Sequence, residues 1–149
     1  MRTFLSFIGL LFFPLSLLAS PTNPVFVKTQ DSGYTLPEHY QTFTCRVFLD
    51  HVETERHQAV PSTPIYSSRP LYVSSEVLTV LKQAKNESFM TGPSLCDAPS
   101  TLIFAYLGET ETDVLDLYRK STCSARDGQR QGKNSEILIR YINEVCGQL

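Results

Sequence analysis

The stretch TFTCRVFL, residues 42–49, decides the fold class of this chain. Its apolar residues recur at every second position, and the positions between them carry mostly polar residues or β-formers. A period of two in such a composition predicts a strand with one buried face. The fold is therefore expected to contain a β-sheet.

Three further segments are predicted as strands. Residues 52–60 are more polar and follow closely enough to return as an exposed antiparallel partner. Residues 101–107 are continuously β-branched, aromatic or aliphatic, which predicts a central strand buried on both faces. After an acidic turn at 108–112, residues 114–123 return as its neighbour. A short amphipathic helix over 113–120 is the alternative, and we favour the strand.

Two segments have the period of helices. Ser74 and Ser75 suit an N-cap, so we expect a helix over residues 75–85. The last helix starts at residue 134 or 135 and stops at Gly147. Its apolar face consists of Ile137, Leu138, Tyr141, Ile142 and Val145.

The remaining segments are predicted to lack regular structure. Residues 20–38 form an extended leader, prolines break residues 61–70 into a loop, and residues 124–133 form an exposed loop with two glycines. The predicted order is strand, strand, helix, strand, strand, helix (ββαββα). It packs most simply as a single α+β domain over residues 39–149, with a four-stranded antiparallel sheet and both helices on one face.

The first nineteen residues have the layout of a secretory signal peptide. Arg2 precedes an apolar stretch at residues 4–18, and the small residues Ala19 and Ser20 follow. A membrane anchor is the competing interpretation, but this stretch is shorter than the ~20 residues that span a bilayer. We expect cleavage near Ala19 and a soluble, secreted or periplasmic product.

Composition excludes several classes of function. The chain has 149 residues, 19% of them charged, and a formal net charge of -2 that becomes more negative once Arg2 is removed. This balance gives no electrostatic reason to bind nucleic acid or anionic lipid. The composition is that of one mildly acidic globular domain.

The four cysteines are expected to form two disulfides in an oxidising compartment. All of them, Cys45, Cys96, Cys123 and Cys146, lie in the exported part. Zinc is the rival hypothesis, but their spacing contains no Cys-x-x-Cys unit, and no metal site is expected. Three pairings fit the sequence. We favour Cys45 with Cys96 and Cys123 with Cys146, because each encloses a self-contained structural unit.

The sequence contains no recognisable catalytic or cofactor motif. His51 and His57, with Glu53 and Glu55, lie at alternating positions around the first predicted hairpin and could ligate a metal or transfer protons. An exposed strand needs polar side chains in any case, so a solvated face is favoured.

The basic segment after the fourth strand is the second candidate site. Arg126, Asp127, Arg130 and Lys133 form a candidate binding loop for a carboxylate or phosphate on a partner, against the favoured interpretation of a solvated loop. The third candidate, Asp97, is better explained as a turn cap. Asn86 begins a glycosylation sequon, which matters only in a eukaryote.

These observations favour a non-enzymatic, macromolecule-binding protein. In being small, disulfide-linked and loop-bearing, the predicted domain resembles secreted protease inhibitors, which implies an inhibitor-like role but assigns no residue. Four tyrosines in the leader or loops, Tyr34, Tyr40, Tyr66 and Tyr72, suit contacts with a protein or another envelope or extracellular macromolecule. The alternative is a small secreted hydrolase whose active site is assembled from distant residues.

Overall fold

The structure, a computed structural model, describes residues 23–33, 35–60, 62–93, 99–108, 112–121 and 126–147. Within these residues, eight antiparallel strands form one sheet, accompanied by two α-helices. The strands are Phe26–Asp31 (β1), Gln41–Val47 (β2), His51–Gln58 (β3), Ile65–Pro70 (β4), Ser88–Gly92 (β5), Thr101–Tyr106 (β6), Val114–Lys120 (β7) and Asp127–Gln131 (β8). The helices are Ser75–Ala84 (α1) and Lys133–Cys146 (α2), and Pro37–His39 forms a single 3₁₀ turn. The predicted α+β class is confirmed.

The predicted four-stranded sheet is wrong. The strands lie side by side in the order β4-β3-β2-β1-β6-β7-β8-β5. Along the described chain, four strands precede α1 and four more lie between α1 and α2, so the order is not ββαββα. The four strands that were not expected are β1, β4, β5 and β8.

Strand β1 lies inside the segment predicted as an extended leader, yet it occupies the centre of the sheet. It pairs with β2 on one side and with β6 on the other. Phe26, Val27 and Lys28 are all buried, so alternation between apolar and polar residues is lost at this point. The strand escaped detection because a central position buries both faces and because Lys28 stands where an apolar residue is expected.

Two other unexpected strands lie in segments predicted as loops. β4 forms one edge of the sheet, where Pro70 is tolerated because an edge strand has one side without ladder hydrogen bonds. β8 contains Gly128, and a side chain there would collide with Phe89 on the neighbouring β5. Proline and glycine are typical of loops, but here Pro70 lies in an edge strand and Gly128 lets two strands approach closely.

The strands that the sequence did predict lie close to their expected bounds. β2 has its buried face at Phe43, Cys45 and Val47. β7 confirms that residues 113–120 contain a strand and not a helix. β6 is corrected in one respect, because only Ile103 and Ala105 are buried while the alternate residues are half-buried. β3 lies between β2 and β4 and is therefore not an edge strand.

Both helices are confirmed. The N–H of Val77 donates to the hydroxyl of Ser74, which caps α1 as expected. Gly147 ends α2 with a φ of 71°, a conformation that favours glycine. No helix in the described ranges has the length and hydropathy needed to cross a membrane.

One hydrophobic core joins the helices to one face of the sheet. Leu81 and Ala84 of α1 and Leu138 and Ile142 of α2 are buried in it. The strands contribute Phe26, Phe43, Cys45, Val47, Val52, Ile103, Ala105, Leu115 and Leu117. Both helices therefore pack against the same face, which we call the inner face.

A disulfide crosses this core. Cys45 on the inner face of β2 is bonded to Cys146 at the end of α2, with 5.8 Å between their Cα atoms. The favoured pairings of Cys45 with Cys96 and of Cys123 with Cys146 are therefore both wrong. They assumed that each bridge closes a local unit, whereas the bond ties the sheet to the last helix. Cys96 and Cys123 lie outside the described residues.

The start of α2 is held by Glu87, which lies between α1 and β5. Its carboxylate accepts hydrogen bonds from the backbone N–H groups of Asn134 and Ser135, at 3.0 and 2.9 Å, and from both of their side chains. A Cβ at Gly132 would overlap this carboxylate. Partial burial raises the pKa of Glu87, but the hydrogen bonds outweigh it and the pKa lies below its ordinary value. The carboxylate therefore caps α2 as an anion.

Candidate functional site on the outer face of the sheet

The second face of the sheet, which we call the outer face, has an apolar centre. Val27 of β1 and Leu102, Phe104 and Tyr106 of β6 point away from the core cluster, because side chains alternate along a strand and their neighbours lie in the core. The rings of Phe104 and Tyr106 are in edge contact, with centroids 5.5 Å apart. Of the two helices that the structure describes, neither packs on this face.

Strand register places charged residues on both sides of this centre. Phe104 lies opposite Val27, and Val27 lies opposite Arg46 of β2. The same row continues to Glu53 on β3 in one direction and to Asp116 on β7 in the other. The outer face thus presents an apolar centre with a charged margin at each side.

In the next row, an equivalent arrangement is found. Leu102 lies opposite Arg119 of β7, and on the other side the row crosses Thr29 and Thr44 to Glu55. Arg119 donates to the carboxylate of Asp116, three residues before it. The charged groups of the β7 margin are therefore partly neutralised within the margin itself.

Glu55 is a charged group of the outer face with several hydrogen-bond partners. Its carboxylate contacts the guanidinium of Arg46 at 3.2 Å and a ring nitrogen of His57 at 2.6 Å. The hydrogen bonds with His57 and Arg46, and a third from Tyr66, lower the pKa of Glu55 below its ordinary value. Glu55 is therefore a persistent anion in a network of hydrogen bonds.

The two histidines of the predicted hairpin site lie on the outer face, as their spacing indicated, but each has its own partner. His51 contacts Asp50 at 2.6 Å and Glu53 at 3.4 Å, whereas His57 contacts Glu55. The hydrogen bond with Asp50 raises the pKa of His51 above its ordinary value. Within the described residues, no three His, Cys, Asp or Glu side chains form a group that could hold a metal ion.

The four residues of the predicted binding loop do not lie in a single loop. Asp127 and Arg130 lie in β8, and Lys133 begins α2. Arg130 donates to the backbone oxygens of Asp116 and Glu87, and its guanidinium lies over the ring of Phe89. Asp127 accepts a hydrogen bond from the N–H of Ser121 at 2.7 Å. Two of the four side chains thus hold the sheet together, while Arg126 and Lys133 are exposed.

The remaining candidates are dispersed over the surface. Tyr40, Tyr66 and Tyr72 are exposed, as expected of contact residues. Asn86 is exposed after the end of α1. Asp97 and Tyr34 lie outside the described residues.

The apolar centre of the outer face was not recognised from the sequence. The sequence predicts a strand buried on both faces over residues 101–107, and it places Val27 in the extended leader. Both described helices pack on the inner face, while on the outer face Val27 is buried and Leu102, Phe104 and Tyr106 are half-buried. A signal for this was present, because both predicted helices were expected on one face.

No family model, curated protein or solved structure matches this chain.

Proposed function

We propose that this chain is an exported, disulfide-stabilised protein that binds another protein through the outer face of its sheet. The observation that carries the proposal is the apolar centre formed by Val27, Leu102, Phe104 and Tyr106, on which neither described helix packs: Val27 is buried there, and the other three side chains are half-buried. Apolar and aromatic side chains that are grouped on one face and only partly buried commonly mark interaction sites.

The composition of the outer face suits a protein interface. Interfaces have an apolar and aromatic centre with a polar margin, and Tyr, Phe and Arg are enriched in them. Phe104 and Tyr106 supply the centre, and Arg46 and Arg119 belong to the margins. A sheet face is also rigid, so little conformational entropy is lost when a partner binds.

Export remains part of this proposal. Residues 1–19 have the pattern of a signal peptide, and the bond between Cys45 and Cys146 is typical of an oxidising compartment such as the periplasm or the extracellular space. The mildly acidic balance supports a partner other than nucleic acid. After signal cleavage we expect no stable membrane insertion.

A small secreted hydrolase is the second candidate, and the contact between His57 and Glu55 is the observation that favours it. A general base oriented by a carboxylate is one part of a hydrolytic site. The His57 side chain is 47% exposed, however, and its partner lies only two residues away on the same strand. A surface His–Glu pair on an exposed strand supports a binding margin better than a catalytic cleft.

The proposal is tested by capturing a partner with the immobilised mature protein from the exported fraction of the source organism. Phe104→Asp places a charge in the apolar centre, whereas Ile137→Asp places the same charge at an exposed position on α2. We expect the wild type and Ile137→Asp to retain the same protein and Phe104→Asp to lose it. Equal retention by all three folded proteins would contradict the outer face as the binding surface.

A further inference from the structure

The edge strand β4 is open along its whole length. It pairs with β3 on one side and is the last strand of the sheet as the described ranges define it. All six of its residues are exposed, including Ile65 at 59% and Tyr66 at 68%. An exposed edge of this kind presents backbone N–H and C=O groups to any strand that approaches it.

Two hydrogen bonds show which backbone groups of β4 point outward. The N–H of Leu71, directly after β4, donates to the oxygen of Asp50 at 3.1 Å. Because the hydrogen bonds of an antiparallel ladder involve every second residue of a strand, the backbone N–H and C=O groups of Ile65, Ser67 and Arg69 also face β3. The N–H of Phe48 donates to the backbone oxygen of His51, so the backbone groups of His51 and of every second residue after it in β3 face β2. The residues between them face β4, which gives the same assignment.

The outward groups of β4 have a symmetric pattern about Ser67. Tyr66 and Ser68, on either side of it, turn their N–H and C=O groups away from the sheet. Pro64 and Pro70 stand at equal distances beyond them and have no N–H to donate. The open edge is thus a short window between two prolines.

We propose that a second copy of this chain docks on this window, with its own β4 antiparallel and with the two-fold axis at Ser67. In this register each copy donates from Tyr66 and Ser68 and accepts at the same two residues of its partner. Each Pro64 then faces the Pro70 of the other copy, so no backbone donor is left unpaired at the ends. The two sheets continue into one another.

The charges of β4 also favour a second copy. Arg69 is the only charged residue in the strand, and its guanidinium donates to the oxygen of Val145 at 2.7 Å. No like charges therefore meet when two copies pair, and the strand lacks the lysine that commonly protects an edge. Pairing also covers the exposed side chain of Ile65. The β4 edge adjoins the outer face at Tyr66 but does not include its apolar centre, so the proposal goes beyond the proposed function.

A charge exchange at Ser67 tests the pairing. Two copies of Ser67→Lys, or two of Ser67→Glu, place like charges directly opposite each other, while an equal mixture places opposite charges there. By sedimentation equilibrium we expect a reversible monomer–dimer equilibrium for the wild type and dimerisation at least ~10-fold weaker for either variant alone. The mixture should recover dimers. A monomeric wild type, or variants that dimerise as the wild type does, would overturn the proposal.

A backbone variant tests the hydrogen bonds independently. Ser68→Pro removes an N–H that points away from β3, and Ser68→Ala, its matched control, keeps that N–H. We expect Ser68→Pro to weaken dimerisation and Ser68→Ala to leave it unchanged, with the circular dichroism spectrum and melting temperature confirming the fold of both. Equal dimerisation by both variants would show that the copies meet elsewhere. A monomeric protein that still captures its partner would overturn the edge pairing alone.

Discussion

The ammonium group of Lys28 donates a hydrogen bond of 2.5 Å to the carbonyl oxygen of Gly147, the residue that ends α2. Lys28 is 1% exposed, and its neighbour across the ladder is Cys45, which is bonded to Cys146. A cation at the C-terminus of a helix opposes the negative end of the helix dipole. One charge and one covalent bond thus fix the end of α2 to the centre of the sheet.

Burial lowers the pKa of Lys28 below its ordinary value, so the folded state disfavours its charge. Lys28→Met keeps the length of the side chain and removes this cost, and we expect it to raise the free energy of unfolding at pH 7 by ~1 kcal/mol. As pH rises through the lowered pKa toward the ordinary value, the folded wild type loses its proton before the unfolded chain does. The wild type therefore gains stability over this range, and the advantage of Lys28→Met shrinks.

Urea denaturation of both proteins at pH 7 and pH 9.5 measures this change. Lys82→Met, at an exposed position in the last turn of α1, is the control and should change the stability equally at both pH values, by a few tenths of a kcal/mol. A destabilised Lys28→Met protein at pH 7 would show that the bond to Gly147 outweighs the cost of burying the charge.

Loss of the disulfide should destabilise the domain strongly. Cys45 and Cys146 are 101 residues apart, so the bond restricts most of the described chain in the unfolded state. We expect the double variant Cys45→Ala/Cys146→Ala to lose ~2–5 kcal/mol of unfolding free energy. Guanidinium denaturation under non-reducing conditions measures it, and a loss below ~1 kcal/mol would contradict the role assigned to this bond.

Cys96 and Cys123 are predicted to form the second disulfide. Once Cys45 is bonded to Cys146, they are the cysteines that remain. Cys96 precedes Thr101 and Cys123 follows Lys120, and these two residues are paired across β6 and β7. Non-reducing peptide mapping of the exported protein should find both bonds, and its intact mass should correspond to a chain beginning near Ser20. A peptide linking Cys96 to Cys45 would refute the pairing.

Glu87 should make the fold sensitive to acid. Its folded pKa lies below the ordinary value of 4.5, so its stabilisation is complete above that pH and is lost as pH falls through the folded pKa. We expect Glu87→Gln to cost ~1 kcal/mol at pH 7, the usual effect of losing a helix cap, and to differ little from the wild type in strong acid. Thermal melts from pH 7 to pH 2 measure the difference.

Glu76→Gln is the matched control, because Glu76 is exposed in the first turn of α1. It should follow the wild type over the whole pH range to within a few tenths of a kcal/mol. A Glu87→Gln protein as stable as the wild type at pH 7 would contradict the capping role.

The sequence predicted those helices and strands in which the spacing of apolar residues matches the spacing of buried positions. β2 alternates cleanly because one of its faces is in the core, and α2 shows Leu138 and Ile142 at helical spacing. β1 was missed because Lys28 is buried on the inner face, and only the end of a distant helix explains its presence there. β4 was missed because its Pro70 is tolerated at an edge, and the position of a strand at an edge is a property of the whole sheet.

The candidate site shows the same limit. The alternation of His51 and His57 on one face was predicted correctly, because side-chain direction in a strand is local. The apolar centre could not be found in the same way, because Val27 and Phe104 are brought together by the pairing of β1 with β6. Pairing between strands so distant in the chain leaves no local pattern.

The outer face is tested most directly by photo-crosslinking in intact cells of the source organism. A photoreactive phenylalanine analogue replaces Tyr106 in one variant and Ile137 on α2 in another, and both are irradiated after export. We expect a discrete crosslinked protein from position 106 and none from position 137. An adduct from position 137 alone, or none from position 106, would contradict binding through the outer face.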